Sequence, residues 1–384
     1  MIRHAARCGR MLAGGIALAL ACTGWWAPGA AQQTAQQTRA EVALAGRFEG
    51  KNGKPAGDLS GIACRPPVGG EHACLVVNDE SPFAQLATLR DRRLLAGRTV
   101  DLIAGRGARL ADDAPPAGVF GSEPAARPSA AGGCPDRGID EDFDDLDGEG
   151  VAWAPAASGG GGAFYVVGSH ACGRGRGDRR RSTHLLARLR VDGAGQPAEQ
   201  PELTWRLGEA LRQADQVGAH YGLPLDPARQ GLDIEGVAAL GEDLLFGLRA
   251  PSLDGHAFVV RARAAELFAP GTGSAPSARV ARLPLGEGVG IRDLAALPDG
   301  RLLVLSGAAQ GQAGVPQGLA VAVPGAQPVW AVHPLLPRIE APRAEAKAEG
   351  VAVLAAAGGT LTVLVLFEDA SRDTPLEYVL PLPP

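Results

Sequence analysis

Several signatures are missing from this sequence, and each absence narrows what the chain does. It has no Gly-x-Ser-x-Gly elbow, no His-Glu-x-x-His pair and no Gly-x-x-x-x-Gly-Lys loop, so the usual serine-hydrolase, zincin and P-loop readings find no support. Beyond the N-terminal segment, no uncharged apolar run reaches the roughly 18 to 20 residues a spanning helix needs, so no membrane span is expected. Aromatic residues make up only 4% of the chain, which leaves composition a weak guide to fold and puts the weight on periodicity. No basic stripe offsets the 42 acidic residues, and the formal charge is −5, which argues against nucleic acid or anionic membrane surfaces as partners. The arginine-rich stretch from Arg174 to Arg190 is a local exception and reads as a solvated loop leading into a strand.

The first thirty-one residues read as a secretory signal. Arg3, Arg7 and Arg10 open it, Met11 to Ala21 form a short apolar run, and Gly29-Ala30-Ala31 provides a small-residue cleavage site. Its removal takes away three arginines and no acids, so the charge moves from −5 to −8 and the expected setting is periplasmic or secreted. Ala19-Leu20-Ala21-Cys22 resembles a lipoprotein cleavage box with Ala where Leu is usual, so anchoring through Cys22 is the alternative. Of the six cysteines, four remain after cleavage, and an even number in an oxidising compartment points to two disulfides. Cys64 and Cys74 sit where one strand ends and the next begins, so the expected pairs are Cys64–Cys74 and Cys134–Cys172. No Cys-x-x-Cys or Cys/His spacing supports zinc.

What the chain does have is a repeat. Asp58-Leu-Ser-Gly-Ile-Ala, Asp147-Gly-Glu-Gly-Val-Ala, Asp233-Ile-Glu-Gly-Val-Ala, Gly290-Ile-Arg-Asp-Leu-Ala and Lys347-Ala-Glu-Gly-Val-Ala each precede a turn and a short apolar strand with a polar end. Each pair is a hairpin, and two looser strand-like runs follow most of them. Four antiparallel strands per unit is a propeller blade, so the fold expected is all-β: a single β-propeller over residues 41–384, preceded by a polar linker over 32–40. The anchors at 58, 147, 233, 290 and 347 favour five blades with insertions at 104–146 and 208–232, six blades being the alternative. The last unit lacks a fourth strand, and Glu41–Phe48 is the segment expected to supply it by pairing with Glu377–Leu382, leaving the polar tail before residue 40 dispensable.

These hairpins resemble a bacterial family catalogued as domain-of-unknown-function family 3616. The likeness rests on Leu59-Ser-Gly-Ile-Ala, Asp147-Gly-Glu-Gly-Val-Ala, Gly168-Ser-His170, Asp233-Ile-Glu-Gly-Val-Ala, Gly247-Leu-Arg-Ala-Pro251, Asp254-Gly-His-Ala and Gly290-Ile-Arg-Asp-Leu. Phytase-like esterase domains and calcium-dependent lactonase propellers carry similar blade starts. The resemblance implies a propeller in an exported setting and brings no established reaction.

Chemistry is expected where the innermost strands begin, at one mouth of the central channel. Ser60, Glu149, Glu235, Arg292 and Glu349 occupy equivalent positions there, and the second strands return Asp79, Glu80, His170, Arg249, Glu368 and Asp369 to the same side. The ligand-binding set expected from this is Glu149, His170, Glu235, Arg249, Arg292 and Glu349, meeting a small polar molecule, with calcium a candidate cofactor. The competing reading makes the chain a non-catalytic envelope scaffold whose acids pair with the arginines and hold the ring together. Ser169 and His170 are adjacent and cannot form a dyad with each other. The acidic run from Asp140 to Asp147 offers Asp142, Asp144 and Asp147 as cation ligands, although Asp145 stands where an EF-hand needs glycine and a solvated loop is the plainer reading.

Overall fold

A computed structural model describes residues 37–103, 117–122, 132–135, 143, 145–157, 159–173, 177–198, 200–271 and 274–384. The expected secretory segment, Cys22, Asp142, Asp144 and much of the 104–146 insertion lie outside the described residues.

Five sheets, each built on four antiparallel strands and begun by one copy of the repeat, make a five-bladed β-propeller. From the channel outward the first blade runs Leu59–Cys64, His72–Asn78, Phe83–Arg90 and Arg93–Asp101. The second runs Gly148–Pro155, Gly161–Gly168, Leu186–Asp192 and Glu202–Thr204, and the third Asp233–Leu240, Asp243–Leu253, His256–Arg263 and Ala278–Leu283. The fourth comprises Val289–Ala296, Leu302–Ala308, Gly318–Val323 and Ala331–Leu336. Ala348–Ala357, Thr360–Phe367 and Leu376–Pro381 form the fifth, whose outermost strand is Thr38–Glu41. The last blade is therefore closed by the N-terminal end of the described chain, but not over the residues expected. Thr38 to Glu41 pair antiparallel with Leu376 to Val379, while Ala43–Ala45 crosses to the first blade and pairs in parallel with Arg93 to Leu95. Thr38 and Arg39, which fall in the tail expected to be dispensable, are thus part of the closure. A short helix, Arg206–Gln213, leads into the second insertion, and it cuts the preceding strand off at Thr204, whose hydroxyl accepts from the Arg206 amide.

Burial follows from the architecture. Each of the five apolar clusters draws on two neighbouring blades, so no blade owns a core. Leu75 and Val77 of the first blade pack with Val151 and Phe164 of the second, and Ile62 and Val76 on the first blade's other face pack with Leu364 and Leu366 of the fifth. Around the channel the blades touch through backbone. A Cβ on Gly150 would lie 2.7 Å from the Val237 nitrogen, and one on Gly236 would lie 2.7 Å from the Asp293 Cα, so the glycine of the repeat is required by close approach of the next blade. The fourth blade carries Asp293 in place of that glycine. Its buried carboxylate accepts from the Leu294 amide at 2.8 Å and from the Val351 amide of the fifth blade at 2.7 Å, a side-chain link where the others use contact.

Both expected disulfides are present. Cys64–Cys74 joins directly opposed residues of the first hairpin, and Cys134–Cys172 ties the described end of the long insertion to the segment after the second blade's second strand.

Candidate functional site

In every blade the pairing of the two inner strands slips by one residue at the same place, between Leu59 and Gly61, Gly148 and Gly150, Ile234 and Gly236, Ile291 and Asp293, and Ala348 and Gly350. The residue left over is Ser60, Glu149, Glu235, Arg292 or Glu349. A β-bulge leaves one residue outside the ladder and re-aims its side chain. Five equivalent bulges thus turn five polar residues into the mouth of the channel, where all five line a cavity of about 980 Å³ with Asp58, Asp79, Arg249 and Glu368.

The charges in this mouth divide into two groups. On one side Arg292 of the fourth blade donates to Glu235 of the third at 3.1 Å and to Glu349 of the fifth, while Arg249 donates to Glu235 at 2.7 Å and to the Ala309 carbonyl at 3.2 Å. All four side chains are buried, and one guanidinium spans three blades. Burial pushes the Glu349 carboxyl up, opposed by the Arg292 charge beside it, and the guanidinium of Arg292 is held above its ordinary range by Glu235 and Glu349 against the cost of its own burial.

On the other side, at the mouth and just behind it, stand Asp79, Asp147, Glu149 and Asp233, the last also 3.7 Å from the Arg249 guanidinium. Burial and then the charges of Glu235, Asp147, Asp79 and Asp233 push the Glu149 carboxyl well above its ordinary value. Burial, followed by Asp147 and Asp58, pushes Asp79 up to about 8, and one of its carboxylate oxygens is buried without a hydrogen bond. Asp147 is raised to about 6 by burial, against the opposing hydrogen bond from the Ser169 hydroxyl. Carboxylate oxygens of Glu149, Asp233 and Glu235 lie within 4.8 Å of one another, a spacing that suits a hard cation.

A second cavity of about 260 Å³ lies behind the mouth, bordered by Asp147, Ser169, Thr183, Arg180 and Asp233. Asp79 and Glu149 line both cavities, Glu235 only the mouth and Asp233 only the chamber. The three-carboxylate cluster therefore sits at the junction of the two.

Five of the six residues expected at the mouth, Glu149, Glu235, Arg249, Arg292 and Glu349, line it. His170 does not. It follows the end of its strand at φ 53°, fully buried, with Nδ1 at 2.9 Å from the Gly168 carbonyl and its ring edge-to-face with His184, which meets the Tyr221 hydroxyl at 3.1 Å. The left-handed turn there carries the ring behind the channel wall. Asp147 lines the chamber, and Asp142 and Asp144, expected with it as cation ligands, lie outside the described residues. Asp233 and Asp58 went unassigned, although both open a copy of the repeat in register with Asp147, the signal that would have found them.

Burial lowers the His170 imidazole to about 4, and His184 lies well below its ordinary value for the same reason. The unfolded chain takes up a proton near pH 6.5 that the folded His170 refuses until pH 4, so acidification through that window costs stability, roughly 3 kcal/mol in full. The raised carboxylates act with the opposite sign, so the difference between wild type and His170→Asn isolates the histidine. Asn tolerates the left-handed backbone and keeps a donor for the Gly168 carbonyl. Denaturant melts from pH 7 to 4 should show the variant losing less stability than wild type, and parallel curves would refute the buried neutral imidazole.

The fold and mouth define a five-bladed propeller with a carboxylate-rich channel entrance. Within it, residues 198–377 match the sequence profile of a family described as a protein of unknown function (DUF3616), in agreement with the resemblance of the hairpins. No curated protein matches the chain. Solved structures similar to it include hydrazine synthase from Kuenenia stuttgartiensis, at 10% identity over 83% of this chain and 59% of that one with a TM-score of 0.35. This chain thus spans less than two thirds of that protein. A protein of unknown function from Dyadobacter fermentans shares 12% identity over 90% of this chain and 99% of the other, with a TM-score of 0.40. A putative glycoside hydrolase from Bacteroides ovatus shares 9% over 88% and 92%, with a TM-score of 0.37. At such scores these likenesses carry no argument about what this chain binds.

Proposed function

We propose that the protein is an exported propeller that binds a small polar ligand at its channel mouth, with the unbalanced carboxylates there met by a cation. The observation that carries this reading is the division of charge at the mouth and just behind it: Arg249 and Arg292 donate to Glu235 and Glu349, whereas Asp79, Asp147 and Glu149 are raised together and, among the described residues, no arginine of the mouth donates a hydrogen bond to them. Like charges in one concavity persist when something of opposite sign is bound or when they hold protons. Ca²⁺ is the inorganic candidate, with Glu149, Asp233 and Glu235 as the chain's ligands, since three carboxylates supply several of the oxygens this ion takes. The two disulfides support an oxidising compartment.

The scaffold reading has its own support in Arg292, which binds an acid from each neighbouring blade. The two readings divide the residues between them, with Arg292 and Glu349 fastening the ring, Asp79 and Glu149 meeting the ligand, and Glu235 standing between, held by both arginines and within reach of the cation.

Glu149→Gln tests this division. A carboxyl whose folded pKa is raised contributes stability at low pH that is lost as pH rises past its unfolded value, so at pH 8 and in chelator Glu149 weakens the fold. The variant should melt higher than wild type under those conditions. Saturating Ca²⁺ should raise the wild-type Tm by several degrees and leave the variant unmoved. A variant that melts markedly lower in chelator makes Glu149 a fastening residue. Screening phosphoesters, lactones and sugars with and without Ca²⁺ then asks whether binding leads to hydrolysis.

A further inference from the structure

The mouth also has an apolar side that its charges do not use. Two connections, 309–317 within the fourth blade and 337–347 between the fourth and fifth, bring Val315, Pro316, Ile339, Ala341, Ala344 and Ala346 to its lining. Pro316 and Ala344 are exposed there and Val315 and Ala341 half-buried, while Ile339 and Ala346 belong to the core shared by the two blades, so this lining is an outcrop of that core. The two connections are held as one wall. The Gln317 carbonyl accepts from the Ile339 amide at 2.8 Å, and the Gln317 side chain donates to the Ala348 carbonyl at 2.7 Å and accepts from the Ala348 amide at 2.8 Å. Arg343 fixes the longer connection again by donating to the buried Asp373 carboxylate at 2.9 Å. Apolar residues pinned toward water in this way are a ready-made contact surface, which an apolar occupant covers without having to order it.

The volume points the same way. About 980 Å³ lies at the upper end of the roughly 300 to 1,000 Å³ of clefts that take drug-sized ligands, more than a small polar group at the carboxylates needs. Among the described residues no aromatic ring lines this cavity, so it offers a planar ligand nothing to stack on. The small side chains of Ala341, Ala344 and Ala346 leave room instead for a flexible chain to lie along the wall.

We propose that the ligand of the mouth is an amphiphile, with an aliphatic chain on the wall formed by 309–317 and 337–347 and an oxyanionic head that meets the cation held by the carboxylates. The proposal rests on the reading of the mouth as a cation-assisted binding site and adds the other half of its ligand. Head and cation answer the charged side of one cavity, and the chain answers its apolar side.

The test is calorimetric titration of the full chain, in saturating CaCl₂, with butanoate, hexanoate and octanoate, and with (2-methoxyethoxy)acetate as a chain of polar ether links. Affinity should rise about two- to fourfold per methylene, so octanoate should bind at least about tenfold tighter than butanoate, while the ether acid gains nothing over butanoate. The double variant Val315→Asn with Ala344→Gln makes the wall polar without altering its charge, at two positions that are not buried. It should flatten the dependence on chain length while leaving the Ca²⁺ isotherm in place, and that retained isotherm also shows that the variant is folded. If Ca²⁺ binds but the three carboxylates bind equally or not at all, the wall takes no chain although the mouth remains a cation site. The same holds if the chain-length dependence survives in the double variant. If octanoate binds as tightly in chelator as in CaCl₂, the wall takes the chain but the head does not meet a cation, and that part of the reading falls. If neither Ca²⁺ nor any carboxylate binds, both readings fall.

Discussion

Arg292→Leu is expected to destabilise the ring by about 3 to 5 kcal/mol, the usual cost of removing one partner from a buried ion pair, which is a large share of a domain's total stability. The cost arises because Glu349 loses its arginine donor and Glu235 loses one of its two, while both carboxylates stay buried. Arg292 also sits on the fourth blade between acids of the third and fifth, so its loss weakens two blade junctions at once. Following Arg292→Leu with Glu349→Leu should recover part of the loss, since the stranded charge is then gone and its replacement is apolar. Urea melts of the two variants measure this directly. A single variant within about 0.5 kcal/mol of wild type would mean that the arginine does not fasten the ring and would return it to the ligand-binding set.

That division of labour was beyond reach of the sequence for a physical reason. The repeat places Ser60, Glu149, Glu235, Arg292 and Glu349 at equivalent positions, and any account of equivalent positions treats the three glutamates alike. Which glutamate meets an arginine depends on what stands on the next blade. Glu235 has Arg292 beside it and Arg249 on its own hairpin, whereas Glu149 has Glu235 as its neighbour. The aiming device, a one-residue slip in each inner hairpin, is equally hidden, because it shifts the ladder without disturbing the apolar residues on either side. The glycine after each mouth residue was visible, but its reason, backbone contact with the next blade, belongs to tertiary structure. His170 shows the converse. Its position at the end of an apolar strand pointed to the mouth, and a single left-handed residue turned it away.

The closing strand failed on similar grounds, and correcting it sets the last expectation. Period-2 alternation selected the segment with Val42, Leu44 and Phe48 because it seeks an apolar face, yet the strand that completes the fifth blade is Thr38–Glu41, which is mostly exposed and held by backbone pairing at the blade's outer edge. The apolar residues act elsewhere, with Val42 and Phe48 buried in the cluster between the fifth and first blades. Two truncations should therefore differ in kind. Deleting Thr38–Glu41 uncovers Leu376–Pro381 as an unpaired edge and removes the ion pair of Arg39 with Glu340, which is exposed and contributes little. That loss should be moderate and accompanied by association at high protein concentration. Deleting Thr38–Phe48 also empties the junction of Val42 and Phe48, worth about 5 kcal/mol or more for side chains of that size, and removes the parallel strand Ala43–Ala45 from the first blade. Because every core is shared by two blades, an opened junction should be felt round the ring as a loss of cooperativity and not as local fraying. Calorimetry should show a broadened transition of reduced enthalpy for the longer deletion, and a synthetic peptide spanning residues 37–48 should restore the sharp one by adding back as a strand. A longer deletion that still melts as sharply as the full chain at an unchanged Tm would show that the ring is closed by something other than its N-terminal strand.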